Sequence, residues 1–166
     1  LYRVTDYETC RCPAADNKWR PGQKSLWQNR LKIAVEISAR AGKVRAMKLS
    51  EPCPCGLDKT YQHCCYPYHN GESLASSPEA LMRSRYSAFV GRLAGYLEAT
   101  WHSSYRPAFL DLSDSPNWLK LQVISSSVDQ NKGQVHFRAF YRDGDDIAFM
   151  EEKSDFIFED GKWYYL

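Results

Sequence analysis

Trp118-Leu119-Lys120-Leu121-Gln122-Val123 and Val135-His136-Phe137-Arg138-Ala139-Phe140-Tyr141-Arg142 repeat apolar and polar side chains with a period of two. That alternation is the pattern of a strand with one face in a core and one in water. Leu119, Leu121 and Val123 predict the inner face of the first strand, and Val135, Phe137, Ala139 and Tyr141 that of the second. A third run, Ile147 to Glu159, alternates less cleanly, as a strand with a bulge does. Asn131-Lys132-Gly133, Asp143-Gly144-Asp145 and Asp160-Gly161 supply turns, the last leading into Trp163-Tyr164-Tyr165. The carboxy-terminal third therefore reads as four antiparallel strands.

Upstream, the period changes. Ser77-Pro78-Glu79 starts a helix, with Ser77 as cap, proline in the first turn and an acid near the positive end of the dipole. Met82, Tyr86, Phe89 and Val90 then share one face, with Arg83 and Arg85 on its opposite rims. Gly91 and Gly95 break or bend the helix, and Leu93, Tyr96, Leu97 and Trp101 form a second apolar face. Between Pro107 and Pro116 we expect a loop with one short helical turn. Helices followed by strands predict an α+β fold with the helices on one face of a curved antiparallel sheet.

Further upstream stands Glu51-Pro-Cys-Pro-Cys-Gly-Leu-Asp-Lys-Thr-Tyr-Gln-His-Cys-Cys-Tyr-Pro-Tyr-His-Asn-Gly71. Cys53, Cys55, Cys64 and Cys65 fall within thirteen residues. A Cys-x-Cys turn and a vicinal pair separated by a short hairpin offer zinc four thiolates, the set a tetrahedral structural site takes. Disulfides within so short a loop fit normal geometry poorly. His63 and His69 compete for a ligand place but read better as surface groups. Cys10 and Cys12 have no partner pair nearby and read as free thiols.

The knuckle resembles the SEC-C motif at the end of the SecA translocation ATPase. Cys53, Pro54, Cys55, Gly56, Lys59, Tyr61, Cys64 and Cys65 match that pattern, whereas Leu57, Asp58 and Thr60 depart from it. Residues 77–90, Ala99-Thr100-Trp101-His102 and Gly161-Lys162-Trp163-Tyr164-Tyr165 are similar to the YchJ-like family of bacterial SEC-C proteins. That resemblance covers about residues 51–166. It implies a nuclear-transport-factor-2-like (NTF2-like), cystatin-like cone behind a small zinc knuckle. The SecA resemblance further implies docking to a protein such as the SecB chaperone, or to the ribosome.

The chain of 166 residues, 43% hydrophobic and 25% charged, has the composition of a globular protein, and no apolar run is long enough to span a membrane. The start shows no secretory signal, so we expect cytoplasmic location and reduced thiols. Charge is divided: residues 1–50 carry 11 Lys and Arg against 4 Asp and Glu, and residues 51–166 carry 11 against 16. The expected organisation is a basic extension over 1–46 (with a helix from Ser25 to Gly42), a knuckle over 47–71 and an α+β domain over 72–166.

Two functions compete. One is a non-enzymatic adaptor whose knuckle presents Lys59, Tyr61, Gln62 and His63 to a protein partner. The other is a ligand-binding protein or enzyme using a cone pocket lined by Arg83, Arg85, Tyr86, Trp101, His102, His136 and Glu151, with His102 as a general base. The bland readings are arginines paired with Glu151, Glu152 or Asp155, core aromatics and a surface histidine. Nucleic acid or ribosome binding through the basic stretch 18–48 is a further expectation.

Overall fold

The computed structural model describes residues 47–166. The readings for Cys10, Cys12, the helix from Ser25 and the basic stretch up to residue 46 lie outside them. A 3-10 turn at Tyr61–His63 is followed by α1 (Tyr66–His69), α2 (Pro78–Val90) and α3 (Ala94–Ala99). Four strands follow: β1 (Asn117–Asp129), β2 (Lys132–Asp143), β3 (Asp146–Glu159) and β4 (Lys162–Tyr165). They form one antiparallel sheet in the order β1-β2-β3-β4. No helix among the described residues is long and apolar enough to cross a membrane.

The helix start lies where the capping residues place it. Ser77 is extended, and its Oγ accepts the Ala80 amide at 3.1 Å. Such a cap contributes about 1 kcal/mol. The helix packs Leu81, Met82, Tyr86 and Phe89 into a core shared with Trp118, Leu121, Val135, Phe137 and Ala139 on the sheet. Trp118 meets both Tyr86 and Phe89 edge-on, at centroid distances of 6.1 and 6.5 Å. α2 is not one-sided, however. Arg85 and Ala88 are buried on the core side, and Ser84 and Ser87 are buried because a second layer covers the face turned away from the sheet.

Several local expectations need correction. The bulges lie in β1, between Trp118 and Lys120 and between Val123 and Ser125. β3 keeps continuous register with β2 from Asp146 to Ile157. The first bulge turns Leu119 outward and leaves Trp118 and Leu121 in the core, which alternation alone cannot foresee. Lys132 and Gly133 belong to β2, and the turn before it uses Gln130 at φ 53°. Gly133 is needed for space: a Cβ there would stand 2.2 Å from Cγ of Pro78. The Asp160-Gly161 turn has both residues at positive φ (51° and 80°), the type I′ geometry that suits a right-twisted hairpin. The stretch between Pro107 and Pro116 holds no helix but does hold one turn, closed by the Ser115 amide on the Leu112 carbonyl at 3.1 Å.

Candidate metal centre

The cysteine stretch folds as two tight supports facing each other. Pro52 bridges to Thr60, and the Cys53 amide donates to the Lys59 carbonyl at 2.9 Å, closing the short hairpin. Gly56 turns the chain after Cys55 at φ 82°, a conformation costly for other residues. Cys64 ends the 3-10 turn and Cys65 caps α1, so the curved backbone lets adjacent side chains point the same way.

All four Sγ atoms lie within 4.8 Å of one another. Cys55 and Cys64 are 3.4 Å apart, and Cys64 and Cys65 are 4.0 Å apart. A zinc–sulfur bond of 2.3 Å places tetrahedral thiolates about 3.8 Å apart. The cluster brackets that edge length, and its four thiols are free, so it could hold a metal ion. Hydrogen bonds from Cys55 and Cys65 hold the Cys53 thiol far below its ordinary range. Burial, then hydrogen bonding to Cys55, pushes Cys64 up to about 12, and hydrogen bonding to Cys53 drives Cys65 well up. Without a cation, one thiolate is favoured among three thiols. A bound divalent ion would supply the charge that lets all four ionise.

The layer behind the cluster is α2. Ser87 Oγ donates to Cys65 Sγ at 3.4 Å and lies 3.7 Å from Cys53 Sγ. Arg83 donates from one guanidinium nitrogen to the Cys55 carbonyl at 2.9 Å and pairs with Glu79 at 2.8 Å. His69 is wedged between layers. Its Nε2 donates to the Ser84 carbonyl at 2.9 Å, so its Nδ1 accepts from the Tyr61 hydroxyl at 2.6 Å. Burial pushes its pKa down, favouring this neutral form. Met47 also belongs here: a Cβ on Gly91 would lie 2.3 Å from its terminal methyl carbon. Ser84, Ser87 and Gly91 thus form a stripe of small residues on which the knuckle rests. Their spacing of three and four residues was the available sequence signal.

The candidate residues end in different places. The four cysteines converge. His63 is exposed, whereas His69 is neither a surface residue nor one of the clustered groups. Tyr61, expected on the presented surface, is buried beneath it at 5% exposure.

The expected cone pocket is not assembled. Tyr86 is core, and Arg83 serves the knuckle. Arg85 is buried, at 2% exposure. Its guanidinium caps α3, donating to the Leu97 carbonyl and the Thr100 hydroxyl, both at 2.7 Å. It lies between the rings of Trp101 and Tyr165, 4.9 and 4.5 Å from their centroids. These aromatic faces attract the cation through their ring quadrupoles. Glu151 stands on the outer sheet face, bound by Arg138 at 2.6 Å and His136 at 2.7 Å.

His102 and Trp101 line a surface cleft of about 330 Å³ with Arg106, Glu159, Lys162 and Tyr164. The Ser104 amide donates to His102 Nδ1 at 3.3 Å, so Nε2 carries the proton and donates to Glu159 at 3.0 Å. Both ring nitrogens are engaged in these contacts.

Comparison with known proteins adds two matches. Residues 77–166 match the family model described as the YchJ middle NTF2-like domain, and residues 50–67 match the SEC-C motif. A UPF0225 protein of Streptomyces coelicolor is 44% identical over 117 residues, covering 69% of this chain and 91% of its own. One from Xanthomonas campestris is 46% identical over 123 residues, covering 70% and 93%. The solution structure of a SEC-C motif containing protein from Rhodopseudomonas palustris superposes with a TM-score of 0.63 at 36% identity, covering 68% of this chain and 93% of that one. A crystal structure of a SEC-C motif containing protein from Psychrobacter arcticus also gives 0.63, at 29% identity over 71% and 82% of the two chains.

Proposed function

This chain belongs to the YchJ-like family of SEC-C motif proteins, and from that premise we propose that it is a zinc-dependent, non-enzymatic adaptor that docks a protein partner through its knuckle. The observation that carries the reading is the convergence of four thiols within 4.8 Å. Four sulfur donors favour a soft, tetrahedral ion such as zinc over calcium or magnesium. Four protein ligands also leave no place for a reactive water, so the metal's role is to hold shape. The shape so held exposes Leu49, Leu57, Lys59, Gln62 and His63, an apolar and cationic surface suited to an acidic protein segment. A chaperone, translocation component or ribosomal protein would be such a partner. The reduced thiols suit the cytoplasm.

The rival reading, a ligand pocket inside the cone, has less support. Arg85, Tyr86, Phe137 and Tyr165 fill the space between α2 and the sheet. Elemental analysis after exhaustive dialysis tests the metal: one zinc per chain is expected, lost in Cys53→Ser or Cys65→Ser. Full retention in a variant lacking all four thiols would exclude the site. For the docking role, capture of a partner should disappear with chelator and in a Leu57→Glu, His63→Glu variant that keeps its zinc. Capture indifferent to both would exclude the knuckle as the docking surface.

A further inference from the structure

The sheet's outer face carries a feature that the knuckle does not explain. Register places Phe140 of β2 directly opposite Phe149 of β3, with Lys120 of β1 at the other side of Phe140. The two rings lie 5.5 Å apart, and Phe149 is 49% exposed. Arg142 occupies the row on one side of this aromatic pair and Arg138 the row on the other, each about 7 Å away along the strand. Arg138 lies over the Phe149 ring, 5.2 Å from its centroid. Lys153 stands one row beyond Arg138.

Charge makes this face unlike the rest of the domain. Residues 51–166 carry 11 basic side chains against 16 acidic ones. Within the patch Lys120, Arg138 and Arg142 adjoin the aromatic pair and Lys153 lies two rows away, and the carboxylate among them, Glu151, is held by Arg138 and His136. Phe149 is exposed and Phe140 half-buried beside it, and neither ring contributes to the core on the other face. Flat rings ringed by cations match a polymer with flat bases and a phosphate backbone.

We propose that the outer face of the sheet binds single-stranded RNA. Bases stack on Phe149 and Phe140, and Lys120, Arg138, Arg142 and Lys153 neutralise the backbone. Gln122, in the Arg138 row, and Ser125, in the next, supply hydrogen bonds of the kind a 2′-hydroxyl accepts and donates. A second copy of the chain is the less suitable occupant, because a two-fold contact through this patch would set its cations against themselves. This surface uses none of the knuckle's residues.

The test uses the full zinc-loaded chain and a fluorescein-labelled 15-nucleotide uridine RNA, read by anisotropy at 50 and 200 mM KCl. Four phosphate contacts on a single strand give a salt slope of about −3, so affinity should fall roughly fifty-fold across that range. Phe149→Ala should weaken binding about tenfold or more, the loss of one stacked base. Arg142→Gln should reduce the slope by about 0.7. Both side chains are solvent-facing, so zinc content and melting temperature should match the parent and certify the fold. Binding that neither variant changes would place the RNA elsewhere and overturn the proposal. So would absence of saturable binding below about 100 μM, the weak end of ordinary non-specific affinity. Equal affinity for the matching DNA would overturn the choice of RNA. A concentration-dependent dimer abolished by Phe149→Ala would assign the face to a second copy instead.

Discussion

Ser87→Ala tests whether α2 takes part in metal binding or merely lies beside the knuckle. The hydroxyl is buried and directed at Cys65 Sγ, 3.4 Å away, with Cys53 Sγ at 3.7 Å. One hydroxyl has one proton, so it makes one charge-assisted bond to a thiolate at a time. A hydrogen bond to an ionised group contributes about 1.5–3 kcal/mol. If that contribution exists only when the thiolates are metal-bound, it converts to a roughly 10- to 150-fold loss of zinc affinity. Independent experience with groups supporting metal ligands gives a similar 10- to 100-fold range. The assay is competition against a chromophoric chelator at fixed pH. Ser84→Ala is the matched control. Ser84 sits on the same stripe, but its hydroxyl serves the Leu81 carbonyl at 2.8 Å and the Tyr96 hydroxyl at 2.7 Å rather than a thiolate. It should lower the melting temperature and leave zinc affinity within about twofold. Equal affinity in Ser87→Ala and the parent would refute the coupling, as would equal losses in the two variants.

Three further outcomes follow from the same contacts. Arg85→Met should cost about 2–4 kcal/mol of stability in chemical denaturation, because it strips a cap from α3 and a cation from two rings; a change below about 0.5 kcal/mol would disprove that role. His69 is held neutral by burial, so its folded pKa lies below the unfolded value of 6.5. The unfolded state then binds more protons, and the contribution of His69, complete above pH 6.5, is lost as pH falls below it. The melting temperature of the zinc-loaded parent should therefore drop between pH 6.5 and 5.5 more steeply than that of His69→Phe, and parallel profiles would reject the assignment. A chain beginning at Met47 should melt cooperatively within a few degrees of the full chain, whereas loss of the transition would show that residues 1–46 belong to the core.

What the sequence determined by itself was chemistry and order. Four cysteines in a short polar stretch specify a cluster that could hold a metal ion, because ligand type and local spacing are properties of the chain alone. The Ser77 cap, the period-two runs and the Asp160-Gly161 turn specify elements for the same reason: each depends on residues a few positions apart. The tertiary structure decided which surfaces meet. The ring contacts of Arg85 could not be read because Trp101 and Tyr165 lie 16 and 80 residues away, and an aromatic face has no fixed offset from the cation it attracts. The β1 bulges moved Leu119 out of the core although its alternation was unbroken. Gly91 was legible as a helix breaker, but nothing near Ser84, Ser87 or Gly91 in the sequence says what covers them. They are small because the knuckle packs against them, and that contact exists only once a loop 15 to 34 residues upstream has folded back.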